Sequence, residues 1–115
     1  MARWLLPVVL AASLSGTSWH VTRIAGEPVG EFNLRLHFAD RRVSGNDGCN
    51  RYSARYRVTG ARIRFRRFVS TAIGCEGTTI PSITDRLRRT RRYRIHGRRL
   101  ELRRSGKTLV VLKRR

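Results

Sequence analysis

Apolar and polar side chains alternate along most of the chain after Ser18, and this period of two constrains the fold more than any other feature. Successive side chains of an extended strand point to opposite faces, so alternation is typical of strands with one buried face. In the first clear run, Leu34, Leu36 and Phe38 are separated by single polar residues. We therefore expect a sheet with one apolar face.

The longest alternating stretch surrounds a turn signal and predicts a hairpin with one basic face. A turn at Thr59-Gly60 would join two strands of similar length. The positions predicted to point inward are Tyr52, Ala54, Tyr56, Val58, Ile63 and Phe65. Arginines occupy many of the positions between them, so the opposite face is expected to be strongly basic.

A second hairpin is predicted around Gly97-Arg98. Its inward positions are Tyr93, Ile95, Leu100 and Leu102, and its outward positions are Arg99, Glu101 and Arg103. A turn at Ser105-Gly106-Lys107 follows. The run from Thr108 to Leu112 is then almost wholly apolar, which predicts a last strand buried on both faces.

One segment breaks the period of two and predicts a helix. Thr79 is its expected N-cap and Pro81 lies in its expected first turn. Apolar residues recur at spacings of three and four, at Ile80, Ile83 and Leu87, and the helix should end near Thr90. A chain of 115 residues has room for one modest core. The expected fold is mostly β (α+β), a small antiparallel β-sheet or barrel-like domain with one short helix.

Positive charge is concentrated in the second half of the chain. The sequence has 26 Lys and Arg residues against 7 Asp and Glu, a formal net charge of +19. Of the basic residues 21 follow residue 50, where only Glu76, Asp85 and Glu101 oppose them. Such a dense field attracts polyanions. A coding bias toward Arg over an ordinary basic surface is the alternative, because all but two of the 26 are Arg.

The candidate anion-binding residues are arginines that the predicted elements would bring together. Four lie on the outward face of the Thr59-Gly60 hairpin and four lie at the end of the helix or just after it. They are Arg55, Arg57, Arg62 and Arg64, and Arg88, Arg89, Arg91 and Arg92. Like charges on neighbouring strands repel one another, and bound anions or salt would relieve the repulsion. Nucleic acid is the less favoured partner, because the strand aromatics are predicted on the core face, where they cannot stack on bases.

The first residues differ in composition from the rest. An apolar run from Trp4 to Ala12 follows Arg3 and ends in small residues, which is typical of a secretory signal and too short for a transmembrane helix. We predict a signal peptide at residues 1–13 and a domain at 14–115. Ser13 stands where a lipidated Cys would be needed, so no lipid anchor is expected. The alternative is a first strand or tail of a cytosolic protein.

Two cysteines, Cys49 and Cys75, fit an exported protein, because a pair in an oxidising compartment is most simply a disulfide. There is no CxxC motif, and His20, His37 and His96 are scattered through predicted strands. We therefore predict no metal and no cofactor.

Candidate catalytic residues show no motif that would bring them together. The acids are Asp40 and Asp47, the bases are the three histidines, and the serines Ser44 and Ser70 lack a nucleophile elbow. We expect a protein that is not an enzyme.

The most specific stretch is a loop, Ser44-Gly45-Asn46-Asp47-Gly48-Cys49-Asn50-Arg51-Tyr52, followed later by Ser70-Thr71 and Cys75. Before it come Gly16, Thr17 and Trp19, and after it Tyr93, Ile95, Gly97, Leu100 and Leu102. In this order the motifs resemble the META domain family, which includes HslJ-like bacterial heat-shock proteins, over about residues 14–113. The resemblance implies a small, mostly antiparallel β domain with one helix, commonly exported.

Within that loop the residues are interpreted as architecture. Gly45 and Gly48 would supply backbone angles that other residues avoid, and Asn50 and Thr71 would satisfy backbone groups with their side chains. The alternative is a ligand site lined by Asn50, Thr71 and the two cysteines.

Together these features predict a non-catalytic, monomeric protein of the bacterial cell envelope, periplasmic or secreted, with a role under stress. The rival prediction is a polyanion-binding module whose Arg-rich surface engages lipopolysaccharide, anionic lipid or nucleic acid. The sequence does not identify the partner.

Overall fold

The computed structural model describes residues 13–75 and 81–115. Within them it contains nine strands, one short 3-10 helix at Gly30–Phe32, and one α-helix. The elements are β1 (Thr17–Ile24), β2 (Glu27–Pro28), β3 (Arg35–Phe38), β4 (Arg42–Asn46), β5 (Arg51–Thr59), β6 (Arg62–Ser70), α1 (Ile83–Arg89), β7 (Arg92–His96), β8 (Arg99–Arg104) and β9 (Lys107–Arg114).

The strands form one antiparallel sheet in the order β2-β1-β3-β4-β5-β6-β7-β8-β9, and β1 also pairs with β9. That last pairing closes the sheet into a ring. The predicted mostly β fold with one short helix is confirmed. The ring is thinnest between β6 and β7, where Arg62 opposite Arg92 is the one ladder pair among the described residues.

The core lies inside the ring. Trp19 and Phe38 are its largest fully buried side chains, and the Trp19 indole donates a hydrogen bond to Thr17 Oγ1 at 2.7 Å. The alternation in β3 is confirmed, since Leu34, Leu36 and Phe38 are fully buried. The period of two therefore identified the buried face of this strand correctly.

The helix begins later than predicted. Ser82, and not Thr79, is the N-cap: its Oγ accepts a hydrogen bond from the backbone N of Asp85 at 3.1 Å. Pro81 consequently precedes the cap and is not in the first turn. Thr79 and Ile80 lie outside the described residues. The end is as predicted, because Thr90 is the C-cap.

Three predictions of burial or exposure are wrong. Val58 is 37% exposed, because it lies near the tip of the β5–β6 hairpin, beyond the core. Glu101 lies on the predicted outward face but is buried beneath neighbouring arginines. In β9 only Val110 and Leu112 are fully buried, and the other residues of the apolar run are half-buried.

Candidate anion-binding site

Arginines face each other directly across β5 and β6. The hairpin turns after Thr59 as predicted, and its register sets Arg57 opposite Arg64 and Arg55 opposite Arg66. Such like-charge pairs destabilise a sheet by a few tenths to about 1 kcal/mol each. The sequence pattern identified three of these four residues and missed Arg66.

A bulge in β6 adds a further arginine to the same face. Ser53 pairs with Val69 and Arg55 with Arg66, so β6 has one more residue than β5 over this step. Arg67 has a positive φ of 56° there, and it is exposed together with Arg66. A bulge inserts one extra residue into a strand and so interrupts the alternation of its side chains. Its signal in the sequence is the separation of Phe65 and Phe68 by two residues instead of one.

The turn between β3 and β4 contributes Arg41 from another direction. Arg41 also has a positive φ, 63°, and its carbonyl accepts a hydrogen bond from the backbone N of Tyr56 at 3.1 Å. The Tyr56 hydroxyl donates to the carbonyl of Ala39 at 2.7 Å. These two bonds tie the turn to β5 and so fix the position of Arg41 beside the hairpin.

The turn and the hairpin enclose a cleft of about 680 Å³, which we call the basic cleft. It is lined by Asp40, Arg41, Arg55, Tyr56, Arg57, Val58, Arg64, Arg66 and Arg67. Six guanidinium groups therefore face a single carboxylate.

The guanidinium groups of the basic cleft have no side-chain partner among the described residues. None of the six cleft arginines forms an ion pair there or donates a side-chain hydrogen bond. Some arginines elsewhere are engaged, since Arg23 donates to the carbonyl of Gly26 at 2.9 Å and Arg98 to that of Arg114 at 2.8 Å. Because further exposed arginines also lack a partner, the concave arrangement is what distinguishes the cleft. Within the described part of the chain, the cleft donors are available to a ligand.

Tyr56 forms the aromatic wall of the cleft. Its ring packs edge-on against Phe38 with centroids 5.0 Å apart, and Phe65 lies 6.4 Å away. Partial burial, followed by the negative charge of Asp40, raises the pKa of the Tyr56 hydroxyl. The group therefore stays a neutral donor at physiological pH and adds no negative charge to the cleft.

The other predicted arginines lie outside the basic cleft, and most are already engaged. Arg88 stacks on Phe68 at 4.4 Å from the ring centroid, and Arg89 pairs with Asp85 at 3.6 Å. Arg91 donates to the carbonyls of Arg88 and Thr90, both at 3.0 Å. The structure therefore brings together three of the eight predicted residues and separates the rest.

Repulsion between arginines also affects the residues that follow α1. Desolvation, followed by the positive charges of Arg104, Arg64 and Arg66, lowers the pKa of Arg91. Arg62 and Arg92 face each other across β6 and β7. The basic surface thus continues from the cleft over the neighbouring strands.

The cysteine loop is held together by its own polar groups. Cys49 and Cys75 lie at disulfide distance with Cα atoms 6.0 Å apart, as predicted. Asn50 Oδ1 accepts hydrogen bonds from Ile73 N at 2.6 Å and Thr71 Oγ1 at 2.9 Å, and its Nδ2 donates to Ile73 O. The amide is occupied by backbone and Thr71, which agrees with an architectural role and leaves little for a ligand.

The two glycines of this loop serve different purposes. Gly48 has a positive φ of 94°, as predicted. Gly45 does not, so that part of the prediction is wrong: a Cβ on it would lie 2.4 Å from the carbonyl oxygen of Arg35 and 2.8 Å from the Tyr52 hydroxyl. The requirement at Gly45 is close approach of a neighbouring strand and of the Tyr52 ring, which sequence alone did not distinguish.

Two of the candidate catalytic residues, His37 and Ser44, are brought together on neighbouring strands. Ser18 Oγ and His37 Nδ1 are 2.7 Å apart on the exposed face, and Ser44 lies opposite His37 on β4. Asp40 and Asp47 lie in two different turns. In residues 13–75 and 81–115, no cluster of three or more His, Cys, Asp or Glu side chains could hold a metal ion.

One buried carboxylate has no signal in the sequence pattern. Glu101 receives Arg94 Nε at 2.8 Å, Arg99 Nε at 2.9 Å and an Arg103 guanidinium nitrogen at 3.2 Å. Arg103 also contacts Thr108 and donates to Gly106 O. Alternation placed Glu101 outward beside Arg99 and Arg103, and the cross-strand register adds Arg94, so that three arginines cover the carboxylate.

The closed antiparallel sheet, the single helix and the disulfide-tied loop define a class of small β domain. The META domain family model matches residues 12–115, and the chain belongs to the META domain family. The resemblance seen in the motif order is thereby confirmed. No curated protein matches the sequence. Over the described residues, no helix has the length and apolar character needed to cross a bilayer.

Solved structures share the fold at low identity. An NMR structure of a protein from Burkholderia xenovorans has a TM-score of 0.70 and 18% identity, covering 100% of this chain and 99% of its own. A second NMR structure has a TM-score of 0.67 and 18% identity over 87% of this chain and 90% of its own. A DUF4847-family protein from Bacteroides vulgatus has a TM-score of 0.59 and 16% identity, with coverages of 88% and 92%. These similarities establish the fold alone.

Proposed function

We propose that this META domain is a non-catalytic, exported protein that binds polyanions through the basic cleft. The observation that carries the proposal is the set of six cleft arginines without a side-chain partner among the described residues. Arginines that only solubilise a surface need no concave arrangement. Here the donors of three segments converge on one volume.

Binding would also stabilise the fold. Arg57 opposite Arg64 and Arg55 opposite Arg66 repel each other in the free protein. An anion between them converts repulsion into charge-assisted hydrogen bonds, which are about twice as strong as neutral ones. Binding of an anion would therefore also relieve the repulsion between the arginines of the hairpin and so raise the stability of the fold.

Anionic components of the bacterial cell envelope are the partners that we favour. A signal-like segment at residues 1–13 and the Cys49–Cys75 pair support an exported, non-lipidated protein. The HslJ-like motif order supports a role in the envelope under stress. Nucleic acid is less favoured, because Tyr52, Phe65 and Tyr93 are buried and cannot stack on bases.

The test is binding of the purified protein to heparin and to anionic phosphatidylglycerol vesicles over a salt series. We expect a steep linear fall of log K with log salt, with binding still measurable at about 0.15 M. The double variant Arg57→Gln/Arg64→Gln should reduce the slope by about two charges. Binding that has vanished by physiological salt would overturn the proposal.

The matched control is Arg23→Gln/Arg98→Gln, which removes the same charge from two exposed arginines outside the basic cleft. If both double variants weaken binding equally, the attraction belongs to the net charge and the cleft has no special role.

Export is tested separately. Mature protein recovered from the producing cell should begin after residue 10, near residue 13, and its two cysteines should resist alkylation until reduced. A cytosolic product with an intact N-terminus and two free thiols would contradict export.

A further inference from the structure

The basic cleft joins two kinds of arginine. Arg55, Arg57, Arg64 and Arg66 project from regular cross-strand pairs, as the ladder dictates. Arg41 and Arg67 come from positive-φ backbone at the turn and at the bulge. The two kinds of arginine line the same cleft from different segments. The basic surface is therefore concave and not flat.

The backbone at Arg41 and Arg67 is unfavourable for arginine. Left-handed φ values are costly for residues with a Cβ, and glycine is the residue that adopts them without strain. Five non-glycine residues of the described chain have positive φ, and two of them line the cleft. Strained positions that carry functional side chains are a recurrent feature of ligand sites.

The chemistry of the side chains favours phosphate. Every cation that lines the basic cleft is an arginine, whereas Lys107 and Lys113 lie on β9. A guanidinium presents its donors in a planar fork that matches two phosphate oxygens, and a Lys ammonium does not. The volume of about 680 Å³ is in the range of small-molecule sites and exceeds what one oxyanion fills.

Charge balance points to more than one charge on the ligand. Six guanidinium groups and one carboxylate, that of Asp40, line the cleft. A singly charged group would leave most of this field uncompensated. A diphosphate carries several charges on adjacent phosphorus centres and brings enough oxygens to engage both the strand arginines and the pair at Arg41 and Arg67.

We propose that the basic cleft binds a compact, multiply charged phosphate group of the diphosphate type, with Arg41 and Arg67 closing on it from the turn and the bulge. The inference rests on the proposed polyanion-binding function and narrows it. The group can come from a free diphosphate or from the phosphorylated headgroup of a lipid. Both sources present the same phosphate group to the cleft arginines.

The experiment measures calorimetric binding of inorganic pyrophosphate, orthophosphate and sulfate to the full chain at about 0.15 M NaCl, where exposed charges are screened beyond about 8 Å. Pyrophosphate should bind at least about tenfold more tightly than sulfate, the difference that one additional charge-assisted hydrogen bond provides. Arg67→Gly and Arg41→Gly suit the positive-φ backbone and remove the whole arginine side chain, including its guanidinium. Each should weaken pyrophosphate binding by about tenfold or more.

The control variant Arg98→Gln removes one charge from the β7–β8 turn, outside the cleft, and should change pyrophosphate affinity by less than about twofold. Unfolding midpoints of the two glycine variants should equal or exceed that of the parent, because glycine relieves the positive φ. Loss of affinity therefore cannot be ascribed to loss of fold.

Vesicles separate the two sources. Tighter binding to vesicles that carry a lipid with a diphosphate headgroup than to phosphatidylglycerol vesicles, reversed by pyrophosphate, assigns the site to a lipid headgroup. Binding of pyrophosphate without preference between the vesicles assigns it to a free diphosphate. If heparin binds but pyrophosphate shows no advantage over sulfate, the diphosphate inference is overturned and polyanion binding stands. If neither heparin nor pyrophosphate binds, both proposals are overturned.

Discussion

Glu101 shows how much a single acid can matter in a chain as basic as this one. Its side chain is 8% exposed and accepts from three arginines of β7 and β8. Burial by itself raises the pKa of the carboxyl, but hydrogen bonding and attraction from Arg94, with contributions from Arg99 and Arg103, outweigh it and hold the pKa of Glu101 below its ordinary value. The ionised form is therefore the one that stabilises the fold.

The sign of the pH dependence follows from this depressed pKa. The contribution of Glu101 is fully present above the pKa of an unfolded glutamate, about 4.3, and is lost as the pH falls through the lower folded value. We expect Glu101→Gln to reduce the free energy of unfolding at neutral pH by about 1 to 2 kcal/mol, since the arginines are partly exposed and screened. Urea unfolding as a function of pH measures it, and the difference from the parent should shrink in acid.

Glu27→Gln is the comparison for this prediction, because Glu27 is exposed on the short strand β2 and forms no ion pair within the described residues. It should change stability by less than about 0.5 kcal/mol. A pH-independent deficit in the Glu101 variant would show that shape, and not charge, is what the position requires.

At the scale of single residues, the sequence predicted burial correctly where side-chain alternation alone determines it. It failed where the pairing register between strands determines which groups come into contact. Leu100 and Leu102 were placed inward correctly, whereas Glu101 between them is covered by arginines of its own strand and by Arg94 of β7. Likewise Gly45 is required by the nearness of Arg35 O, a contact between strands that no local pattern contains.

At the scale of elements, the loop from β4 to β5 and the segment after β6 behave as one tied unit. Cys49 and Cys75 are 26 residues apart in sequence, and Asn50 binds the same segment through Ile73. Closing a loop of this length stabilises a fold by about 3 kcal/mol in the chain-entropy model. The disulfide and the side-chain amide of Asn50 therefore both connect the β4–β5 loop to the segment after β6.

Replacing both cysteines, Cys49→Ser/Cys75→Ser, should lower the free energy of unfolding by about 3 kcal/mol. Chemical denaturation with and without a thiol reductant measures it. Reductant should shift the parent toward the double variant and leave the variant unchanged. A parent that is indifferent to reductant would contradict a stabilising disulfide.

The β5–β6 hairpin and the helix illustrate what sequence patterns give at this scale. The turn after Thr59 and the helix end at Thr90 were predicted correctly. The bulge at Arg67 was missed, because an inserted residue shifts the alternation by one position and looks like noise in a short strand. The basic cleft depends on that bulge and on the packing of a distant turn, so only three of its arginines could be predicted.

At the scale of the whole molecule, the net charge of +19 opposes compaction. Added salt screens this repulsion without requiring a specific site. We expect the free energy of unfolding to rise by about 1 kcal/mol between about 20 mM and 0.5 M NaCl, because the Debye length falls from above 20 Å to a few Å. Thermal or urea denaturation over the salt series measures it.

The variant Arg57→Gln/Arg64→Gln isolates the part of this effect that originates in the hairpin. It should be more stable than the parent at low salt and should gain less from added salt. A parent whose stability is flat over the series would mean that the arginine ladder is already neutralised within the protein.

The closing of the ring has a consequence for the order of events during synthesis. β1 is made before β9, yet Thr22 Oγ1 donates to the carbonyl of Val111, 89 residues later. Long-range pairings of this kind make folding slow. Until β9 has left the ribosome, β1 has β2 and β3 beside it but no partner along its other edge. Closure of the ring must therefore wait until β9 has been made, and the open chain before that point is in a state in which a polypeptide can still be threaded through a narrow channel.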